Sequence, residues 1–240
     1  MTRLLAVCFI ALSAIYFLIP INIDVSLSSI FLTMATFLFA ILTGFFISRQ
    51  SNRYNAIREV IAEFDGNVSA LYRGFEVFGE TAKREAGEII KSHYEQILSN
   101  KRWDWHFTRK SSTIVSLGNL LGKLTDGQEL QSFRHVTVNN MVASTDALQV
   151  ARKRMVSLHV ERVPQFQWVL ITFLGSVLVI SVSLIPSASI VIDSALKGAF
   201  STIVVFVMLL LYRLDNLTLF EGTLGEKSAR DMLGIISGEK

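Results

Sequence analysis

The sequence contains few of the residues that stabilise small secreted domains or interrupt helices. It has one cysteine, Cys8, in 240 residues, so an intramolecular disulfide is excluded, and with it the disulfide-rich secreted class. It has three prolines, and none lies between residues 21 and 163, which favours long uninterrupted helices there. Charged residues make up only 18% of the chain, against about 25% in typical soluble domains.

Three long stretches of the sequence contain no charged residue. Residues 4–23, 25–48 and 163–192 contain no Asp, Glu, Lys or Arg. A membrane-spanning helix needs about 20 predominantly apolar residues to cross a hydrocarbon core of about 30 Å. The sequence therefore predicts an integral membrane protein and excludes both a soluble enzyme with a single core and a disordered chain.

We predict four membrane-spanning helices, of which the first has an alternative reading. The N-terminal run begins with Arg3 and passes a small-residue stretch at 12–14, as a cleaved signal peptide would. Its apolar part exceeds the usual ~7–15 residues, so an uncleaved span is favoured. The expected domains are a hairpin at 1–47 with spans 4–21 and 27–47, a helical domain at 48–163, a hairpin at 164–212 with spans 166–185 and 190–212, and a tail at 213–240.

The distribution of positive charge predicts the orientation. Residues 49–163 hold 17 of the 23 Lys and Arg residues, and the tail from Arg213 adds four, whereas the connectors at 22–26 and 186–189 have none. Positive charge accumulates on the cytoplasmic side of membrane proteins. We therefore expect the helical domain and both termini to be cytoplasmic, in a protein of the cell inner membrane.

The residues between the second and third spans have the periodicity of long helices. Apolar residues recur at steps of four and three in two seams. A break is expected at residues 100–106, which include Trp103 and Trp105, followed by a helix over 108–123 and a capping box of Asp126 and Glu129. We predict an all-α fold in which spans two and three extend into a cytoplasmic helical bundle. We also predict that the two seams pack between subunits. The seams comprise Ile57, Ile61, Phe64, Val68, Leu71, Phe75 and Phe78, and then Leu130, Phe133, Thr137, Met141, Ser144, Leu148, Ala151, Met155 and Leu158.

Catalytic and cofactor motifs are missing from the sequence. It has no P-loop, no Gly-rich dinucleotide turn, no H-E-x-x-H and no G-x-S-x-G. The four histidines are isolated, which does not suit a metal site. Cytoplasmic acids such as Glu59, Glu63 and Asp65 fit the solvated face of a helix. We expect no enzyme activity, no cofactor, no metal and no nucleic-acid partner.

The second span offers a candidate pore-lining face. Phe37, Ile41 and Phe45 fall at i, i+4 and i+8, on one side of a helix. In an oligomer with this helix around an axis, they would form stacked apolar rings, and such a neck gates ions by dewetting. The same triplet also fits residues that face lipid or pack against a neighbouring helix.

Two sets of charged residues, a pair in the fourth span and a basic cluster before the third span, each have both an ordinary and a functional interpretation. Asp193 and Lys197 are four residues apart near the outer end of the fourth span, so they share a face and can pair. They fit either interfacial anchoring or a pore-mouth role. The cluster Arg152, Lys153 and Arg154 fits a positive-inside flank or a site for anionic lipid headgroups.

Several short motifs follow one another along the chain. They are Gly44-Phe45, Asn52-Arg53-Tyr54, Arg58-Glu59, Leu71-Tyr72-Arg73, Arg162-Val163-Pro164 with Trp168, and Leu214-Asp215. In this order they resemble the motifs of bestrophin-type channels and of bacterial bestrophin-like proteins, over about residues 30–220. The resemblance implies a homo-pentamer with a central ion pathway, and a neck that falls on Phe37, Ile41 and Phe45.

The sequence departs from the bestrophin pattern after the fourth span. Residues 216–222 contain no proline and few acids, where that family has an acidic Pro-Phe-Gly stretch. A calcium clasp is therefore not expected. Selectivity stays open, although 17 basic against 13 acidic residues in 49–163 favours anions near the inner mouth.

Two functions of different classes are compatible with these features. The first is a bestrophin-like channel that conducts small ions through an oligomer embedded in membrane lipid. The second is a membrane-anchored interaction or sensor scaffold whose cytoplasmic helices bind a protein partner. In the scaffold, the helical seam, the Trp103–Trp105 break and the C-terminal tail would be the working parts.

Overall fold

In the computed structural model, every regular element among the described residues is a helix. The structure describes residues 2–18, 26–100, 112–126, 132–185, 190–219 and 226–238. A 3₁₀ turn, Glu76–Phe78, follows the second α-helix. The α-helices of the described residues are α1 (Thr2–Leu18), α2 (Ser26–Phe75), α3 (Glu80–Asn100), α4 (Thr113–Thr125), α5 (Ser132–Val160), α6 (Gln165–Ser183), α7 (Ile190–Asp215) and α8 (Glu226–Ser237).

The chain divides into two compact units. The first unit comprises Met1–Ser51 and Arg162–Leu219, and the second comprises Asn52–Glu161 and Phe220–Lys240. The first unit therefore holds α1, the N-terminal part of α2, α6 and α7. Its core is formed where α2 meets α6 and α7, and its buried residues are Ala35, Phe39, Phe46, Ile171, Leu174, Leu178, Val204 and Leu211.

Close backbone approach joins α1 to α7. A Cβ atom at Gly198 would lie 3.1 Å from Ser13 Cα and closer still to Ser13 Oγ, so only glycine fits here without a shift of the helices. A hydrogen bond of 2.8 Å joins the hydroxyls of Tyr16 and Ser201, and Ser183 Oγ lies 3.2 Å from Tyr16 Oη. The polar side chains of these helices thus bond to one another, as the interior of a membrane protein requires.

Among the residues that the structure describes, three helical stretches are long and apolar enough to cross a membrane by length and composition, namely Leu32–Phe78, Arg134–Ser183 and Ile190–Asp215. The predicted third and fourth spans agree closely with α6 and α7. The predicted first span at 4–21 overlaps α1, whose 17 residues end at Leu18. Residues 19–21 of the predicted span lie outside the described residues. The structure is thus an all-helical fold with apolar helices of membrane-spanning length.

The second helix is long but ends earlier than predicted. It runs unbroken for 50 residues to Phe75, and the chain then turns through Gly79 into α3, whereas the sequence favoured continuation to the break at 100–106. Gly79 has φ +103°, a conformation that residues with a side chain rarely adopt. The prediction was wrong because the chain turns at Gly79, although no proline interrupts this part of the sequence.

The seams predicted in the second unit are mostly buried. In α2 the seam residues Ile57, Phe64, Val68, Leu71 and Phe75 are buried, and Ile61 is half-buried. In α5 the buried set is Met141, Leu148, Ala151 and Met155. One chain therefore buries most of the first seam and part of the second, in which Thr137, Ser144 and Leu158 are half-buried. Packing of these seams between subunits stays a prediction.

The helix predicted at 108–123 is found as α4, displaced towards the C-terminus. It spans Thr113–Thr125 and buries Ile114, Leu117, Leu120 and Leu121. Trp103, Trp105 and Glu129 lie outside the described residues, as do Leu130 of the second seam and most of the break predicted at 100–106. The proposed capping box of Asp126 and Glu129 therefore stays a prediction.

Candidate functional site

An exposed apolar stripe runs along α2 in the first unit. Phe37, Ile41 and Phe45 are 65%, 52% and 61% exposed. Ile30 and Met34 extend the stripe towards the start of the helix and are exposed as well. These positions recur at steps of three and four, so they share one face. The candidate neck residues thus lie together on a surface that the rest of the described chain leaves open.

The opposite face of α2 is packed. Ala35, Phe39 and Phe46 are buried in the core with α6 and α7, and Thr43 is buried beside them. The hydroxyl of Thr43 donates to the carbonyl of Phe39 at 2.6 Å, so its polar group is satisfied within the helix. The helix therefore has one face fixed against its own chain and one apolar face available for lipid or another subunit.

A buried carboxylate ties α2, α6 and α7 together at the end of the stripe. Asp215, the last residue of α7, is 6% exposed. It accepts hydrogen bonds from Gln50 Nε2 at 3.3 Å, from the Val163 amide at 2.7 Å and from Trp168 Nε1 at 3.4 Å. Asp215 therefore holds the C-terminal end of α7 to α2 and to the start of α6.

This carboxylate clasp was not among the predicted site residues. Asp215 is part of the Leu214-Asp215 motif, and no role was predicted for Gln50. The available signal was an acid placed directly after an apolar span, where an unpaired charge is costly. A sequence does not show which residues approach that acid, because its donors lie 47, 52 and 165 positions away.

The charged pair of the fourth span is half-buried in α7. Lys197 Nζ donates to the carbonyl of Ile185 at 2.6 Å, which ties α7 to the residues that follow α6. This contact suits an anchoring role, because an ammonium that bonds to a backbone carbonyl satisfies both groups. The expected pairing of Lys197 with Asp193, and a role of either residue at a pore mouth, stay predictions.

The basic cluster of α5 is divided between two environments in the second unit. Arg154 lies 3.9 Å from Glu59 and 3.7 Å from Glu63, so it faces α2. Arg152 and Lys153 instead face a groove between α4 and α5. The three residues do not form one surface, and the proposed contact with lipid headgroups stays a prediction.

Arg53 is buried and caps α5. Its Nε donates to the carbonyl of Leu158 at 2.7 Å, and its Nη2 donates to that of His159 at 2.8 Å. These carbonyls belong to the last turn of α5, where helices lack internal donors. A cation there also complements the helix dipole. The Arg53 of the quoted motif is therefore structural, since it binds the end of a helix.

A half-buried carboxylate, that of Asp65, joins α2, α3 and α8 in the second unit. Tyr94 Oη donates to Asp65 Oδ1 at 2.5 Å, and Ser228 Oγ donates to Asp65 Oδ2. Burial raises the pKa of Asp65, the two hydroxyl donors act in the opposite direction, and the nearby charge of Asp231 raises it further. Burial and the charge of Asp65 also raise the pKa of Tyr94 well above its ordinary value. Within the second unit, Asp65 thus links the C-terminal helix α8 to α2 and α3.

The raised pKa of Asp65 predicts the sign of a pH effect. An acid with a raised pKa in the folded state binds protons more tightly than the unfolded chain, whose pKa is near 3.8. The second unit should therefore lose stability as the pH rises from about 4 through the raised pKa. We expect Asp65→Asn to remove this slope in thermal unfolding of the full chain, and Asp231→Asn to reduce it. A wild-type chain that gains stability over this range, relative to Asp65→Asn, would contradict the assignment.

Among the described residues, no cluster of three or more His, Cys, Asp or Glu side chains could hold a metal ion. Cys8, in α1, is half-buried, and its thiol is free of any disulfide. The candidate functional groups among the described residues are therefore the apolar stripe of α2, the carboxylates of Asp215 and Asp65, and the cationic side chains described above.

Comparison with known proteins identifies a family for this chain. The family model described as a Bestrophin-like domain matches residues 4–224. No curated protein and no solved structure matches the chain. The matched region includes α1 to α7 and the Asp215 clasp. Because it covers far more than half of the sequence, the chain belongs to the bestrophin-like family.

Proposed function

We propose that this protein is an oligomeric ion channel whose pore is lined by α2. The observation that carries the proposal is the exposed stripe of Phe37, Ile41 and Phe45 on a helix whose other face is packed. Copies of α2 arranged around an axis would bring these side chains together as stacked apolar rings. Rings of this kind block ions until they widen enough to hold water.

The proposal includes the arrangement in the membrane. In this proposal the chain has four spans, with α1 as the first, and the second unit and both termini are on the cytoplasmic side of the cell inner membrane. Family membership and the resemblance of the motifs support an assembly of five subunits surrounded by lipid. The conducted species are small ions, and the excess of basic residues in 49–163 favours anions near the inner mouth.

Substitution of a neck residue tests this proposal. We expect Ile41→Ala to raise ion flux into proteoliposomes by about tenfold, which corresponds to about 1.4 kcal/mol removed from the barrier. The reason is that each Ile41 side chain of the ring loses three carbon atoms, so the ring widens and holds water more easily. The measurement compares K⁺, Na⁺ and Cl⁻ gradients for the parent chain and the variant, after the oligomer has been verified.

A matched control separates pore lining from contact with lipid. Ile203 lies on α7 and is 60% exposed, so Ile203→Ala makes the same change on an equally open apolar surface. We expect it to leave flux unchanged. Equal effects of the two substitutions would show that the α2 stripe is an ordinary lipid-facing surface. An intact oligomer that conducts in neither form would favour the interaction scaffold instead of a channel.

A further inference from the structure

A groove in the second unit combines cationic and apolar side chains. It lies between the start of α4 and the last third of α5 and has a volume of about 360 Å³. That volume is within the range of about 300–1,000 Å³ that is typical of small-molecule sites. The residues that line it are Ile114, Val115, Gln149, Arg152, Lys153 and Val156.

The charged part of the groove has one sign. Arg152 and Lys153 are neighbours on α5, and the lining contains no carboxylate. Arg152 is half-buried, with its Nε out of contact with solvent, whereas Lys153 is exposed. The third cation of this run, Arg154, faces Glu59 and Glu63 instead. The groove therefore offers a positive end that suits an anion.

The remaining lining is apolar and open. Val115 is 62% exposed and Val156 is 39% exposed, and Ile114, which also lines the groove, is buried. Gln149, Arg152, Lys153 and Val156 follow at i, i+3, i+4 and i+7 along one face of α5, so the cations and the valine line the same side. An inorganic anion would contact the cations but leave this apolar wall in water.

We propose that the groove binds a free single-chain anionic amphiphile, such as a medium-chain carboxylate. Its headgroup would lie between Arg152 and Lys153, and its chain would cover Ile114, Val115 and Val156. Charge complementarity selects an anion, and the apolar wall selects one with a hydrocarbon chain. A phospholipid held in the bilayer would present its headgroup and leave the valines uncovered. The site is independent of ion conduction.

Direct binding tests this assignment on the full-length protein in nanodiscs of neutral phosphatidylcholine, with radiolabelled decanoate as the probe and empty discs as background. We expect saturable binding that unlabelled decanoate displaces and that acetate and decyltrimethylammonium do not. The double variant Arg152→Gln/Lys153→Gln should weaken binding by at least about tenfold, because it removes both charged partners. Lys153→Gln alone, at an exposed position, should weaken it in the same direction.

Two further variants distinguish the parts of the site. Val156→Ser should reduce the preference for decanoate over hexanoate while binding of the carboxylate persists. Arg84→Gln/Lys91→Gln removes two cations of α3 outside the groove and should leave binding unchanged. The assignment is wrong if binding does not exceed that of empty discs, if the groove variants bind like wild type, or if acetate competes as well as decanoate. Displacement by phosphatidylglycerol added to the discs would identify a bilayer lipid and also overturn it.

Discussion

Asp215→Ala is expected to lower the free energy of unfolding of the first unit by about 3–5 kcal/mol, since it removes a buried acceptor and leaves its donors unpaired. The Val163 amide, Trp168 Nε1 and Gln50 Nε2 all donate to this carboxylate. Buried donors without an acceptor carry the full cost of desolvation. Three segments of the chain would lose their common attachment together.

Thermal unfolding of the purified full chain in detergent measures this effect. Tryptophan emission is a suitable signal, because Trp168 is one of only three tryptophans and contacts Asp215 directly. Asp215→Asn keeps one acceptor oxygen and should show an intermediate loss. Asp146→Ala removes an exposed acid from α5 and should stay within about 0.5 kcal/mol of wild type. Equal unfolding temperatures for Asp215→Ala and Asp146→Ala would refute the clasp.

Arg53→Ala is expected to destabilise the second unit by about 3 kcal/mol. The substitution removes two charge-assisted hydrogen bonds to the carbonyls of Leu158 and His159, and each such bond contributes about 1.5–3 kcal/mol. It also removes a cation from the negative end of the α5 dipole. The last turn of α5 would then have partly buried carbonyls without donors, so we expect it to fray first.

Native-state hydrogen exchange resolves this effect along α5. Protection should fall most in the last turn, near Val160, and least near Met141 in the middle of the helix. Arg53→Lys should recover part of the loss, because an ammonium is a compact donor without the fork that reaches two carbonyls. Arg58→Ala changes an exposed arginine one turn further along α2 and serves as the control. Uniform loss of protection throughout α5 would argue against a capping role.

The sequence alone determined the class of protein, the apolar helices and which faces are buried. These features depend on periodicity and composition within short stretches, so they can be inferred without the fold. The seam from Ile57 to Phe75 is mostly buried, and α6 and α7 agree closely with the predicted spans. The family was also recognisable, because its short motifs keep their order along the chain.

Only the tertiary structure decided the partners of the polar residues and the end of α2. Asp215 and Arg53 bond to groups 47 to 165 and 105 to 106 positions away, and no local pattern identifies such contacts. The backbone of Gly79 turns the chain through a positive φ, which the residue permits but does not require. Likewise, Arg154 follows Arg152 and Lys153 in sequence but faces α2 instead of the groove, because successive residues of a helix point about 100° apart.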